Sequence, residues 1–243
     1  MSKQFNPPWR KLLLLGSAVV IIIVIVGAGI VLTTPQPTKL YVANKAPSFT
    51  LVDQNNDTVT LNNYLGKVLV MDFIYTHCPN YPNGTLGECS TETANMNNML
   101  TNLLQMGYTS NDFHFISVSI DWKFDNVSIM KAYGEDRAEG QFQYWSFLSG
   151  SQTQIKNITS SYHIEADYEN TTTNLNQTVP LVTTQPSVNN NLSYMRHSLL
   201  VYLIDKNGSI RVLENGKNQL YWITGTTWSP KEVAKQVSAL IKE

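Results

Sequence analysis

Lys67-Val68-Leu69-Val70-Met71-Asp72-Phe73-Ile74-Tyr75 is a nearly continuous apolar run, rich in β-branched and aromatic residues. A run this short and this apolar reads as a central strand covered on both faces. Thr76-His77-Cys78 follows it directly. In an open α/β sheet, the carboxyl end of a central strand is where reactive groups and ligands collect.

Working outward from that strand, Ala46 to Leu51 alternates like an entering strand. Val59-Thr60-Leu61 is placed to pair with it across an Asn-Asn-Asp turn. On the other side, Cys89 precedes Met96, Leu100, Leu103 and Leu104 at helical spacing. Phe113–Ile120, Trp145–Leu148 and Leu199–Ile204 read as further strands, the last turned into a hairpin by Asp205-Lys206-Asn207-Gly208. Ser151-Gln152-Thr153-Gln154 and Ser229-Pro230-Lys231-Glu232 carry helix-start signatures. Strands alternating with helices predict an α/β sandwich. Residues 167–192 are Asn- and Thr-rich without apolar period and read as a surface insertion or loose hairpin.

The chain has 243 residues, 42% hydrophobic and 14% charged, with net charge −1. That excludes a disordered polar chain and gives no electrostatic reason to hold nucleic acid. Two cysteines exclude a disulfide scaffold and a four-cysteine zinc module. Residues 12–32 carry no charge, and a run of that length spans roughly 30 Å of hydrocarbon. It reads as an uncleaved transmembrane anchor, since the apolar part of a cleaved signal is about 7–15 residues. Lys3, Arg10 and Lys11 precede it, so residues 1–11 are expected in the cytoplasm and the C-terminal domain outside the cell membrane. Residues 33–45 follow as a tether, with 46–243 as the folded domain. Beyond residue 38, fourteen basic residues face eighteen acidic ones, a net −4. Asn-x-Ser/Thr sequons at Asn56, Asn83, Asn126, Asn157, Asn170, Asn176, Asn191 and Asn207 all follow the span. They fit a glycosylated outer face of a prokaryotic cell, archaea included.

The chemical candidates are Cys78, Cys89 and one or more of His77, His114, His163 and His197. Cys89 sits just before a helix, whose positive end favours the thiolate that binds metal or attacks disulfides. Two sulfurs and an imidazole suit copper, Cu(I) above all, better than a hard ion. A structural disulfide stands beside that reading, stabilising by roughly 3 kcal/mol for a loop of this size. Met96, Met99 and Met106 read as core packing and not as copper ligands.

From Ala46 onward the chain resembles the Sco/SenC family. The resemblance is carried by Gly66-Lys67-Val68 leading into Phe73-Ile74-Tyr75-Thr76-His77-Cys78-Pro79 and by Cys89 leading into its helix. It continues with Asp121-x-x-x-Asp125, Leu148-Ser149-Gly150-Ser151, and His197 ahead of Leu203-Ile204-Asp205. The resemblance implies a thioredoxin-like sandwich with a central mixed sheet and flanking helices behind one transmembrane helix. It implies a copper metallochaperone, more chaperone than enzyme, with Cys78, Cys89 and His197 as ligands of Cu(I)/Cu(II). The partner it implies is the copper-bearing subunit of a haem-copper oxidase. His77, Asp121 and Asp125 would support the ligands or face the partner, although Asp121 and Asp125 alone read as a solvated pair.

Ten residues separate the cysteines here, where that family usually has three. Closing the longer loop costs only about 1 kcal/mol more. Trp122 stands where the family tends to have proline. The alternative function is a thiol–disulfide oxidoreductase without stable copper binding. Its usual Cys-x-x-Cys is absent, and Tyr75 occupies the place of a peroxidase's Thr or Ser.

Overall fold

The computed structural model describes residues 39–78, 87–169, 194–213 and 221–243. In chain order these form β1 (Leu40–Lys45), β2 (Thr50–Val52), β3 (Thr58–Thr60), a 3-10 turn (Leu61–Tyr64) and β4 (Val68–Ile74). Then come α1 (Glu88–Gln105), β5 (Phe113–Ser119), α2 (Val127–Arg137), β6 (Trp145–Leu148) and α3 (Gln152–Ser161). The last elements are β7 (Ala166–Glu169), β8 (Tyr194–His197), β9 (Leu200–Ile204), β10 (Ser209–Leu213), β11 (Ile223–Thr224) and α4 (Pro230–Ile241).

The apolar run becomes β4, buried along its whole length at the centre of a seven-stranded sheet ordered β1-β10-β9-β4-β5-β6, with β11 added to β9. β4 pairs parallel with β5 from Val68↔Phe113 to Ile74↔Ser119 and antiparallel with β9 through Val70↔Leu203. The sheet is therefore mixed, as expected. Parallel neighbours need a crossover, and α1 and α2 supply it for β4–β5 and β5–β6.

Successive residues on a strand face opposite sides. The Phe73 ring packs against Tyr162 and Tyr202 on one face of the sheet. Asp72 therefore points to the other, where Glu92 of α1 and Tyr133 of α2 are buried.

The helix-start signatures hold. Ser151 and Gln154 form a reciprocal capping box on α3, and Ser229 caps α4 by accepting from Glu232 N–H with Pro230 at the first turn. The β9–β10 turn is the expected Asp205–Gly208 hairpin, closed by Gly208 at φ +75°, where a side chain would be strained.

Two expectations change. The entering strand is shorter than Ala46–Leu51: β2 starts at Thr50 and pairs with β3 through Leu51↔Val59. The tether assigned to 33–45 ends earlier, because Leu40–Lys45 is β1, an edge strand on β10 with Leu40↔Leu213 and Tyr41↔Val212. Its apolar residues are bunched at Leu40–Ala43 without alternation, and the strand is specified by a partner near the other end of the chain.

The anchor expected at 12–32 and the cytoplasmic tip at 1–11 lie outside the described residues. Among those described, no helix is long and apolar enough to cross a membrane. Most of the insertion, residues 170–193, also lies outside them. Its stem is a two-stranded antiparallel ribbon of β7 and β8, closed by Ala166↔His197.

Candidate metal centre

The topology brings four chain segments to one end of the sheet. β4 runs out at Tyr75 towards Cys78, and its parallel neighbour β5 runs out towards Asp121. Antiparallel β9 begins at that same end, just after His197. The start of α1 carries Cys89. The site follows from strand direction.

Cys78 is half-buried and Cys89 fully buried, and both are free. The two meet despite the ten residues between them. Donation from the Cys89 thiol is the largest influence on Cys78 and holds its pKa down to about 7. Burial opposes this, while the Cys89 N–H and the Tyr75 hydroxyl add to it. For Cys89, burial first and then its donation to Cys78 and the Cys78 charge push the thiol well above its ordinary value. One sulfur is thus poised as a thiolate and its neighbour as a thiol.

His197 ends β8, and its Nε2 lies 3.2 Å from the Cys89 Sγ. Its Nδ1 lies 3.1 Å from the Ser198 carbonyl oxygen. A carbonyl only accepts, so Nδ1 carries the proton and Nε2 turns a lone pair towards the sulfur. Burial holds the ring neutral, with a pKa down to about 4. Ser198 also fixes the ribbon: its N–H donates to Glu165 O at 2.9 Å, and its hydroxyl accepts from Glu165 N–H at 3.1 Å. A neutral imidazole oriented through its far nitrogen by a backbone carbonyl is how metal-binding histidines are commonly held.

Among the described residues, no three His, Cys, Asp or Glu side chains already form a metal cage. The two contacts instead share the Cys89 sulfur, which both Cys78 and His197 meet. Two sulfurs and a neutral imidazole make a soft set that fits Cu(I).

The other expected residues fall beside this centre. His77 places Nε2 3.4 Å from Asp121 Oδ2 and packs its ring between Tyr75 and Phe124. Asp121 and Asp125 are not a solvated pair: they are 3% and 2% exposed. Asp121 Oδ1 accepts from the Lys123 and Phe124 N–H groups. Asp125 accepts from the Thr76 N–H and hydroxyl and from the Ser119 hydroxyl at 2.6 Å. The pair clips the end of β4 to the end of β5, which the spacing alone could not show.

His114 lies in the core, bonded to the Ser146 hydroxyl at 2.8 Å and stacked on Tyr64, while His163 is exposed at a turn with φ 52°. Met96 and Met99 are core residues as expected, but Met106, the C-cap of α1, is exposed and does not pack in the core.

Two buried acids escaped the sequence reading, Asp72 and Glu92. The first had a visible signal, a lone charge inside an apolar strand. The second sits one helical turn after Cys89 and had none.

Comparison with known proteins agrees with this fold. The family model described as SCO1/SenC matches residues 38–224. A solved structure of Bradyrhizobium japonicum ScoI with copper bound is 22% identical with a TM-score of 0.56, covering 81% of this chain and 99% of that one. Yeast Sco1 with copper bound is 19% identical with a TM-score of 0.56, covering 82% and 90%. A SCO1/SenC family lipoprotein from Bacillus anthracis is 19% identical with a TM-score of 0.57, covering 82% and 95%. These likenesses show a shared thioredoxin-like fold. No curated protein sequence matches the chain.

Proposed function

The chain belongs to the SCO1/SenC family, and on that premise we propose that it is a membrane-anchored copper metallochaperone whose cargo is held by Cys78, Cys89 and His197. The observation that carries this reading is the His197 Nε2 lone pair, aimed at a sulfur that a second cysteine also meets. Copper bound there replaces the hydrogen bonding of the single Cys89 thiol proton with metal–sulfur and metal–nitrogen bonds. Cys78 is ready as a thiolate, and Cys89 releases one proton.

The anchor at 12–32 keeps the domain outside the cell membrane, facing the copper-bearing subunit of a haem-copper oxidase. A centre at the end of the sheet, with one cysteine half-buried, is open to such a partner.

The full chain in detergent, reduced beforehand, is expected to retain about one copper per chain. Cys78→Ala and His197→Ala should each lose it, and in the Cu(II) form the thiolate-to-copper absorption should vanish with Cys78→Ala. Copper retention unchanged in both variants sinks the reading.

The split between a thiolate at Cys78 and a thiol at Cys89 also favours a second reading, in which the pair reduces a partner's disulfide. Robust turnover in an insulin-reduction assay, without copper retention, would promote it.

A further inference from the structure

Four of the eight Asn-x-Ser/Thr sequons fall on described residues, those of Asn56, Asn126, Asn157 and Asn207. A transferring enzyme reads the hydroxyl of such a triplet together with its amide, so both groups must be reachable from one side. Asn157 fails this condition. It lies inside α3, where residues two apart do not face each other. The Thr159 hydroxyl is turned inward, donating to the Ile155 carbonyl at 2.9 Å and the Lys156 carbonyl at 3.2 Å. Asn207 fails it too. Its Ser209 is already buried in β10, and Lys45 Nζ holds the Asn207 carbonyl at 2.8 Å.

Asn126 meets the condition. It is exposed, with extended backbone (φ −82°, ψ 176°) just ahead of α2, and Ser128 is exposed as well. The Asn126 Oδ1 accepts from the Ser128 hydroxyl at 2.6 Å and from the Ile129 N–H at 3.1 Å. The hydroxyl of this triplet therefore already touches its amide group. With Oδ1 tied to the helix start, the planar amide turns Nδ2 the other way.

Asn126 and Ser128 border an open depression of about 540 Å³ between the β2–β3 turn and the start of α2. Gln54, Asn55 and Asn56 line its other side, with Lys131 on the α2 side and no acidic residue in the lining. Gln54 is 3% exposed, and its Oε1 accepts from the Phe147 N–H at 3.0 Å, which fixes that wall. Amides and an ammonium supply the donors and acceptors that sugar hydroxyls require.

We propose that Asn126 carries an N-linked glycan whose first sugar rests in this depression. In the transfer, Nδ2 attacks C1 of a sugar carried on a polyprenyl phosphate. The C1–O bond breaks and a C1–N bond forms. The lipid phosphate leaves with the bonding electron pair, and Nδ2 gives one proton to a base of the transferring enzyme. Nothing is oxidised or reduced. Oδ1 keeps its bond from the Ile129 N–H, so the cap of α2 survives the modification. A bulky hydrated chain here closes this face to protein docking. The inference rests on the domain lying outside the cell membrane and not on its binding copper.

The test is mass spectrometry of peptides from the full chain, extracted from the membranes of its own cells after a membrane-impermeant amine reagent has been applied to the intact cells. The Asn126 peptide should carry a glycan mass, and the Asn157 and Asn207 peptides should be bare. Ser128→Ala should lose the glycan and Ser128→Thr should keep it, since both leave the Asn126–Ile129 cap in place. Lys231 and Lys235, exposed on α4, report the side of the membrane. A bare Asn126 in a chain whose lysines are labelled overturns the proposal alone. So does a glycan that survives Ser128→Ala, or one found equally at Asn157 or Asn207. Unlabelled lysines with every sequon bare overturn it together with the outward-facing reading. Failure of the copper reading shows separately, as lost copper retention in a chain that carries the Asn126 glycan.

Discussion

Cys78 and Cys89 are the same residue type made chemically unlike by their surroundings. Cys78 is the acceptor of its neighbour's thiol, and Cys89 is the donor inside the core. Alkylation by iodoacetamide should therefore strike Cys78 first, with a rate rising around pH 7. Cys89→Ala removes the largest influence holding the Cys78 thiol down, so the midpoint of its pH–rate curve should move upward. A curve unchanged by Cys89→Ala would mean that the two sulfurs do not interact. At this scale much of the centre was legible. Cys78 is marked by the strand that ends before it and Cys89 by the helix that starts with it. His197 needed the family's order of motifs, because a histidine at a strand end has no pattern of its own. Asp72 shows in the sequence as a charge inside an apolar strand, but its nearness to Glu92 does not: their neighbours on β5, α1 and the stretch before α4 are remote in sequence, so no spacing rule joins them.

Elements were legible where their signal is local. α3 and α4 announce themselves by caps, and β4 by its nearly continuous apolar run, since those features need only a few adjacent residues. β1 and β11 do not, because each is specified by pairing with β10 or β9 across the chain. α2 is the intermediate case: Asn126 caps it, yet only Met130, Tyr133 and Gly134 are buried along it. Its seat against β6 depends on Gly134, where an added Cβ would stand 2.6 Å from Phe142 Cε1 and 2.8 Å from Phe147 Cδ2. Both rings are held by aromatic neighbours, Phe147 by Trp145 and Tyr133 and Phe142 by Phe147 itself. Gly134→Ala should therefore destabilise the fold by about 1–3 kcal/mol through overpacking, despite alanine's better helix propensity. Urea denaturation measures it. A gain of the several tenths that an exposed helix position gives would mean α2 can shift without cost.

The whole molecule carries opposing titrations in its interior, and their balance sets how stability follows pH. His114 and His197 are held neutral by burial, each down to about 4. An unfolded histidine takes up a proton below about 6.5. These two therefore withdraw stability as pH falls from there towards 4. Asp72 and Glu92 have the reverse sign. Raised to about 7 and about 8, they contribute stability below the ordinary carboxyl range and lose it as pH rises through their folded values. Asp125, also raised by burial, acts in the same sense. Between about pH 5 and 6 the two histidines offset the two acids, so stability there should change little. Above about 6.5 the histidines drop out, and the acids are opposed only by Cys78, whose thiol is held down to about 7 and so adds stability as pH rises through that value. From there to pH 8 the folded state should lose on the order of 1 kcal/mol. Thermal or urea unfolding of the reduced full chain across that interval should show the decline, and Asp72→Asn/Glu92→Gln should flatten it. A double variant that declines as steeply as the wild type would place the titrating groups elsewhere. A flat wild-type profile would mean that both acids ionise freely in the folded chain, which their burial argues against.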